Sequence, residues 1–518
     1  MADGAMTATF LAVIGGASLL AVTARRLRPN DRLPSLEGWA LADRSLGPVW
    51  TWLLLGGTMF TAYTFTAVPG LAYGNGAPAF FAVPYTVIVF PLAFVLLSRL
   101  WSVARRHGYV TAADFVRGRY GSPSLALAVA LTGILATMPY LALQLLGIRA
   151  VLTAGGVSPR GPAGDLLMVG LFAGLAVATY RHGLRAPTLI SALKAVAVFV
   201  SVTAVCWLVL RRLGGPGAVF EGAARRMGGP DVAHSPLILS PGQQPAYATL
   251  ALGSALALLM YPHVLTAAFA ADGPRTLRKV TVALPAWTGL LALFGLLGVA
   301  ALAAGVRAPE GAAESAVPML VDRLLPGPPA GLVFAAITVG ALVPAAVMSI
   351  AAATSFVRNV YVEYVHPTAT PKRQVRVAKA VSLTAKAGAV AFVLGLRDQD
   401  AVNLQLLGGV WILQVFPAVA IGLFTGRLRP RALLAGWAAG MVSGTCLVVR
   451  EGFSPIVRLG FGPLEIYAGL AALLVNLTVA VAGSTVLTRL GVPRGADSTD
   501  LPSRLSLRRR PETGANNP

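Results

Sequence analysis

Charged residues are scarce in this chain. They make up 12% of its 518 residues, whereas about 25% is usual in a soluble domain. Hydrophobic residues make up 56%, and the mean hydropathy is +0.71. This composition excludes a soluble enzyme. Cysteine is scarcer still: Cys206 and Cys446 both lie inside apolar runs, which excludes a disulfide framework.

The motifs of nucleotide and hydrolytic chemistry are also missing. The sequence has no nucleotide-binding glycine loop, no HExxH, no GxSxG and no appended kinase-like domain, so we expect neither ATP hydrolysis nor another enzymatic activity. The net charge is +22. Because its basic residues lie between the apolar stretches and do not cluster on a folded surface, no nucleic-acid partner is expected.

The sequence is rich in apolar stretches of the length that spans a bilayer as a helix, roughly 20 residues. Thirteen of them, which we number S1 to S13, occupy 6–24, 50–73, 79–97, 125–152, 166–180, 186–210, 246–271, 282–304, 332–357, 380–396, 404–425, 432–449 and 466–487. We therefore predict an all-α polytopic membrane protein with thirteen transmembrane helices and the lipid bilayer as its surroundings.

Basic residues are concentrated in alternate connecting segments, which the positive-inside rule places in the cytoplasm. The orientation is predicted to be N-out and C-in, with the long loop 211–245 as an exception, since long loops translocate largely regardless of charge. Residues 1–490 form the predicted transporter domain. Residues 491–518 lack apolar periodicity and form a predicted disordered cytoplasmic tail. The Arg-, Ala- and Gly-rich composition favours a GC-rich bacterial genome, and we predict a multi-pass protein of the plasma (inner) membrane of a bacterium.

Two spans contain residues that interrupt a helix. S2 has a Gly- and Thr-rich segment, 56–66, followed by Pro69-Gly70, and S7 has Tyr261-Pro262-His263 five spans later. An open backbone is tolerated in a membrane where it lines a cavity. Two broken helices five spans apart favour an inverted five-plus-five repeat with a binding site at the breaks. Small residues for close helix packing are the alternative explanation of S2.

Few ionisable side chains lie inside the predicted spans. All Asp and Glu residues fall in loops or at span ends, which leaves Lys194 in S6, Lys386 in S10 and His263 in S7. An unpaired lysine costs a few kcal/mol at the centre of a membrane helix. Lys194 therefore requires a substrate anion, a water-filled cavity, a neutral amine or a snorkelling side chain. We interpret Lys386 as a snorkelling residue, and His263 is either packed and hydrogen-bonded or a ligand.

Four further polar residues could face a central cavity. They are Tyr140 and Gln144 in S4 and Gln405 and Gln414 in S11. Hydrogen bonds between helices would explain these residues equally well.

Several motifs together resemble the solute:sodium symporter family. They are residues 44–47, the S2 break with Pro69-Gly70, Gly74 and Gly76, the loop 108–121, residues 183–186 at the start of S6 and residues 358–361 at the end of S9. The resemblance implies thirteen spans of the LeuT type with broken helices. Segments 57–68, 79–85, 137–140 and 341–346 look most like the monocarboxylate-permease branch, which implies short organic acids such as lactate, pyruvate, acetate or propionate.

The same resemblance implies a sodium site, and this chain departs from it. In the family, backbone carbonyls of the S2 break and two adjacent hydroxyl residues of S9 hold the cation. Gly57 and Phe60 match the carbonyl positions, and Pro344 leaves the Gly340 carbonyl without its helical donor. The hydroxyl positions fall on Val343 and Pro344. Because hard cations require several oxygen ligands, we expect the sodium site to be incomplete. A weak site made of carbonyl oxygens alone is the alternative.

The resemblance also gives Lys194 a role. The family's S6 aspartate falls on Ser191, and its glutamine one turn later falls on Lys194. In some proton-coupled proteins of this fold a lysine amine on the same helix replaces the sodium ion. By this resemblance Lys194 carries the coupling proton or directly balances the substrate carboxylate.

These observations predict a secondary active transporter that imports a short monocarboxylate by alternating access, coupled to a proton in preference to sodium. The residues expected to line the substrate site are Thr58, Thr61, Thr64, Tyr140, Gln144, Tyr261 and His263. The residues expected at the coupling site are Lys194, Gly57, Phe60 and Gly340. No metal site is assigned. A sodium-coupled symporter for an amino acid or other solute and a nutrient receptor with a transporter fold are the alternatives, and a small membrane companion subunit is left open.

Overall fold

The computed structural model describes residues 4–23, 35–156, 162–395, 401–458 and 464–501. The first α-helices are α1 (Gly4–Thr23), α2 (Leu36–Leu41), α3 (Pro48–Met59), α4 (Val68–Asn75), α5 (Ala82–His107), α6 (Ala112–Tyr120), α7 (Pro123–Ala154), α8 (Pro162–His182), α9 (Arg185–Leu213) and α10 (Pro216–Arg226). They are followed by α11 (Gln244–Leu258), α12 (Pro262–Phe269), α13 (Pro274–Ala283), α14 (Pro285–Ala303), α15 (Ala316–Leu324) and α16 (Gly327–Phe356). The last are α17 (Pro371–Gly395), α18 (Ala401–Ile412), α19 (Gly422–Phe424), α20 (Pro430–Arg450) and α21 (Ala468–Arg489).

Ten helices in these described ranges are long and apolar enough to cross a membrane, and the bent pair α11 and α12 makes up to eleven spans. The two other predicted spans coincide with the interrupted stretch α3–α4 and with α8. The count of thirteen and the N-out orientation therefore stay predictions. The ends of S1 and S10, at positions 24 and 396, and the basic segments 25–32 and 504–510 lie outside the described residues.

The first interruption lies inside S2. Helix α3 ends at Met59 because Phe60 takes up an extended backbone conformation, with φ −98° and ψ 104°. The chain then continues through the π-helical segment Tyr63–Ala67 into α4. Gly56 allows the close approach of a neighbouring helix, since a Cβ atom there would lie 2.2 Å from Trp287 Nε1. The break falls within the Gly- and Thr-rich segment that the sequence indicates.

The second interruption lies inside S7. Helix α11 ends at Leu258, Tyr261 is extended with φ −63° and ψ 131°, and Pro262 begins α12. Proline is favoured at the first position of a helix because it has no amide hydrogen to leave unpaired there. The two helices are bent by 48° relative to each other. The structure thus has two broken helices, at the two places that the sequence indicates.

Helix α16 lies in the interior of the protein. Its most apolar stretch is wholly buried, because small residues along the helix let other segments pack against its backbone. At Gly340 a Cβ atom would lie 2.6 Å from the Phe65 ring. Pro344 lies within this helix and removes one backbone donor from it.

An antiparallel pair of strands, β1 (Ile456–Arg458) and β2 (Glu465–Tyr467), precedes α21, with Val457 opposite Ile466. The all-α prediction missed this pair, because runs of three residues are too short for their β-branched content to show above the surrounding apolar sequence.

Candidate functional site

The Lys194 amine lies where helices α3, α9 and α16 meet. Its Nζ donates hydrogen bonds to the backbone carbonyl oxygens of Gly57 (2.6 Å), Phe60 (2.7 Å) and Gly340 (2.9 Å). The residue has no exposed surface, and Nζ also lies 5.2 Å from the centre of the Phe65 ring. The side chain is therefore held inside the protein and does not snorkel.

The local backbone explains why these three oxygens are available. Gly57 and Phe60 lie at the end of α3, where the extended Phe60 ends the helical hydrogen-bond pattern. Gly340 would ordinarily accept a bond from the amide four residues later, but that residue is Pro344. The carboxyl end of a helix carries a partial negative charge, so the end of α3 favours a cation at this position.

A sodium ion does not fit the positions that the family resemblance assigns to it. The Lys194 amine is within hydrogen-bond distance of all three carbonyls that would hold the ion. Val343 and Pro344 offer no hydroxyl group, and the Ser191 hydroxyl donates to the Pro187 carbonyl on its own helix.

Three of the predicted substrate residues form an aromatic cluster beside the two helix breaks. The ring centres of Tyr140, Tyr261 and His263 are 5.2 Å apart in each of the three pairs. All three side chains are fully buried. Tyr261 donates its hydroxyl to the Gln405 carbonyl at 3.2 Å, so α12 and α18 hold this cluster together.

Polar atoms without a partner mark the same region. Within the described part of the chain, both ring nitrogens of His263, the Tyr63 hydroxyl and Gln405 Oε1 are buried and have no hydrogen-bond partner. The Tyr63 ring in turn packs edge-on against Tyr85, with centres 6.1 Å apart. Buried polar groups are nearly always paired, so these unpaired atoms make the region a candidate site for a ligand.

The other predicted substrate residues shape the S2 break. The Gln144 side chain accepts a hydrogen bond from the Ala62 amide at 3.1 Å and donates one to the Tyr140 carbonyl at 3.0 Å. Thr61 Oγ1 accepts from the Tyr63 amide at 3.1 Å. These two side chains satisfy the backbone that the break leaves open.

Thr58 and Thr64 have different surroundings. The Thr58 hydroxyl donates to the Leu54 carbonyl of its own helix at 2.6 Å. This hydrogen bond does not involve the aromatic cluster. Thr64 is buried in the π-helical segment, and its amide donates to the Thr61 carbonyl at 2.9 Å.

Sequence reasoning missed Tyr63 and Tyr85, which lie beside the expected residues. A tyrosine hydroxyl inside the predicted S2 break was the available indication for Tyr63. Two further residues that the sequence suggested have their contacts elsewhere. The Lys386 amine donates to Ser382 Oγ at 3.0 Å on α17, and Gln414 accepts hydrogen bonds from the side-chain amide of Asn476 on α21.

The lysine site and the aromatic cluster share one piece of backbone. The Phe60 carbonyl binds the Lys194 amine, and two residues later the Ala62 amide binds Gln144, whose amide group also binds the carbonyl of Tyr140. A movement of this short break would therefore alter both places.

Comparisons with known proteins agree with this architecture. The sequence profile of the Sodium:solute symporter family matches residues 39–440. A "Monocarboxylate transport permease protein" of Rhizobium johnstonii is 44% identical over 487 residues, covering 94% of this chain and 97% of that protein. The uncharacterized symporter YodF of Bacillus subtilis is 29% identical over 483 residues, covering 92% and 93% of the two chains.

Among solved structures, the substrate-bound outward-open state of a Na⁺-coupled sialic acid symporter superposes with a TM-score of 0.77. The match covers 95% of this chain and 99% of that chain at 15% identity. At this identity the similarity establishes the fold, and substrate recognition has to be argued from the residues themselves.

Proposed function

The chain belongs to the sodium:solute symporter family, and we propose that it imports a short monocarboxylate, such as lactate, pyruvate, acetate or propionate, together with a proton. Transporters make up this family, and the helices described above make the chain a multi-pass membrane protein. The membrane in question is, in this proposal, the plasma membrane.

The observation that carries the proton part of the proposal is the set of three carbonyls around Lys194. A protonated amine has three N–H donors, which matches the three acceptor oxygens at 2.6, 2.7 and 2.9 Å. A neutral amine has two donors and a lone pair, so one carbonyl would face the lone pair and be repelled. Protonation thus stabilises the junction of α3, α9 and α16, and loss of the proton weakens it.

This difference supplies a route for coupling. In the proposed cycle the broken helix α3–α4 moves relative to α16, and Lys194 holds the two together more strongly when it is protonated than when it is neutral. The family membership implies sodium as a coupling ion, but the amine takes up the carbonyls that such an ion would need. No step of the proposed cycle therefore involves sodium.

The monocarboxylate part rests on the cluster around His263. A carboxylate accepts hydrogen bonds from donors such as a tyrosine hydroxyl or an imidazole N–H, and Tyr63 and His263 have such groups without a partner in the described residues. The rings of Tyr140, Tyr261 and Tyr85 give the same region the apolar walls that a short alkyl chain needs. A relative whose name specifies monocarboxylate transport supports the same substrate class.

The experiment is uptake of labelled lactate and labelled acetate into proteoliposomes, with a proton gradient and a sodium gradient imposed separately. We expect accumulation against a concentration gradient when the outside is acidic, with or without sodium. Lys194→Ala is expected to abolish accumulation. The matched control is Lys386→Ala, which removes the other buried lysine and should leave accumulation intact.

Four results would contradict the proposal. Accumulation driven by sodium alone, or full accumulation by Lys194→Ala, would refute proton coupling through this amine. Sodium-driven uptake of an amino acid in place of lactate and acetate would identify the chain as a conventional sodium symporter. Binding of a solute without any transport would point to a nutrient receptor.

A further inference from the structure

A cleft of about 470 Å³ lies outside the transport site, between α5, α13 and the residues that follow α21. Three arginines line it: Arg99 and Arg106 from α5 and Arg278 from α13. Asp500, from the segment after α21, lies at the same cleft. The three elements come from distant parts of the sequence, so the cleft exists only in the folded protein.

The arginines of this cleft are not neutralised by the described part of the protein. None of the three forms an ion pair there, and the Asp500 carboxylate lies 3.8 Å from the His107 ring nitrogen instead. Aromatic rings hold two of the guanidinium groups: Arg99 lies 4.9 Å from the Phe424 ring centre and Arg278 lies 5.9 Å from that of Phe94. Such contacts orient a cation without cancelling its charge.

The cleft also has an apolar wall in the part of α5 that precedes the arginines. Phe94 and Val95 line it, and they are 39% and 50% exposed. Val95, Arg99 and Arg106 recur at a spacing that places them on one face of a helix. The cleft therefore changes from apolar to strongly basic along α5, towards the end that the positive-inside rule assigns to the cytoplasm.

We propose that this cleft binds one anionic glycerophospholipid of the cytoplasmic leaflet. Arginine forms charge-assisted, two-pronged hydrogen bonds with phosphate, and basic pockets between transmembrane helices on the cytoplasmic side suit anionic headgroups. The phosphate lies among Arg99, Arg106 and Arg278, and the acyl chains lie along Phe94 and Val95. A free phosphate ion would use the arginines but would leave the apolar wall uncovered.

The test is native mass spectrometry of the purified full-length protein in detergent. Phosphatidylglycerol, phosphatidylcholine and inorganic phosphate are added in separate samples. We expect retained phosphatidylglycerol adducts and little retention of phosphatidylcholine. Each of the single variants Arg99→Gln, Arg106→Gln and Arg278→Gln should weaken phosphatidylglycerol retention about fivefold. The matched control is Arg275→Gln, an exposed arginine on α13 outside the cleft, which should retain the lipid like the wild type.

Two outcomes would overturn the proposal. A triple variant carries glutamine at all three positions. Equal phosphatidylglycerol retention by the wild type and by this variant would show that the lipid binds outside the cleft. Displacement of the lipid by equimolar inorganic phosphate would identify a site for a free anion. Arg278→Gln changes an exposed side chain, so this single variant keeps the test valid if the triple variant does not fold. Size-exclusion chromatography shows whether each variant is folded.

Discussion

At the scale of single residues, two buried polar side chains differ in whether their polar atoms have hydrogen-bond partners. Each hydrogen of a protonated Lys194 amine has a carbonyl acceptor, whereas His263 has no partner for either ring nitrogen in the described residues. A buried polar group without a hydrogen bond costs about 1–3 kcal/mol. This difference fits the proposal that Lys194 couples transport to the proton and that a substrate binds beside His263.

The first residue-scale prediction concerns His263. We expect His263→Ala to raise the KM for labelled lactate at least about tenfold, because a hydrogen bond to a charged group contributes about 1.5–3 kcal/mol. The proton-to-substrate ratio should not change, since the contacts of Lys194 stay in place. Initial-rate uptake and the accumulation ratio measure the two quantities. His234→Ala, which removes an exposed imidazole beside Asp231, is the control, and an unchanged KM in His263→Ala would disprove the assignment.

At the scale of elements, the breaks and one proline decide where backbone oxygens are free. The break in S2 releases the carbonyls at the end of α3, and Pro344 releases one in the middle of α16. These released oxygens are not left without a hydrogen bond, because the Lys194 amine donates to all three of them. Three helices thereby share a single cation site without a carboxylate.

A proline substitution tests this view of α16. Pro344→Ala restores the amide that ordinarily pairs with the Gly340 carbonyl, so the helix competes with Lys194 for that oxygen. We expect the proton-driven accumulation ratio to fall about tenfold, the effect of losing one hydrogen bond to a charged group. Substrate KM should change little.

The control for this substitution is Pro91→Ala, which removes the proline inside α5 and should keep normal accumulation. Wild-type accumulation by Pro344→Ala would show that the Gly340 carbonyl is dispensable for coupling.

At the scale of the whole molecule, the segment after α21 joins distant parts of the chain. The fully buried Arg119 side chain on α6 pairs with Asp497 at 2.5 Å and donates to the Gly422 carbonyl at 2.9 Å. The same helix is tied to the segment that follows α16, since Asp114 accepts a hydrogen bond from Asn359 at 2.8 Å. Residues 495–501 of the predicted disordered tail thus contact α6, while residues 502–518 lie outside the described residues.

The contact between this segment and α6 can be tested through Arg119. We expect Arg119→Gln to lower the free energy of unfolding by roughly 1–3 kcal/mol, because the substitution leaves buried acceptors unpaired. It should also make residues 494–501 more accessible to protease. Thermal unfolding in detergent and limited proteolysis followed by mass spectrometry are the measurements. Arg105→Gln removes an exposed arginine and serves as the control; equal proteolysis of the two variants would contradict the prediction.

The sequence by itself determined the membrane class, the places of both helix breaks and the candidate atoms of the lysine site. Apolar runs, Gly-Gly and Tyr-Pro-His are local patterns, and a proline removes the same backbone donor in any fold. Gly57, Phe60 and Gly340 were identified from the family resemblance and from this property of Pro344.

Only the tertiary structure decided which candidates meet. The Lys194 amine reaches carbonyls 134 to 146 residues away, Gln144 binds the open backbone of the S2 break, and Lys386 and Gln414 take up other contacts. No sequence pattern indicated the short strands or the packing of residues 495–501 against α6. Such contacts depend on how the helices are oriented around one another, and a polar residue within an apolar run has the same local signature whether it faces a cavity, a neighbouring helix or its own backbone.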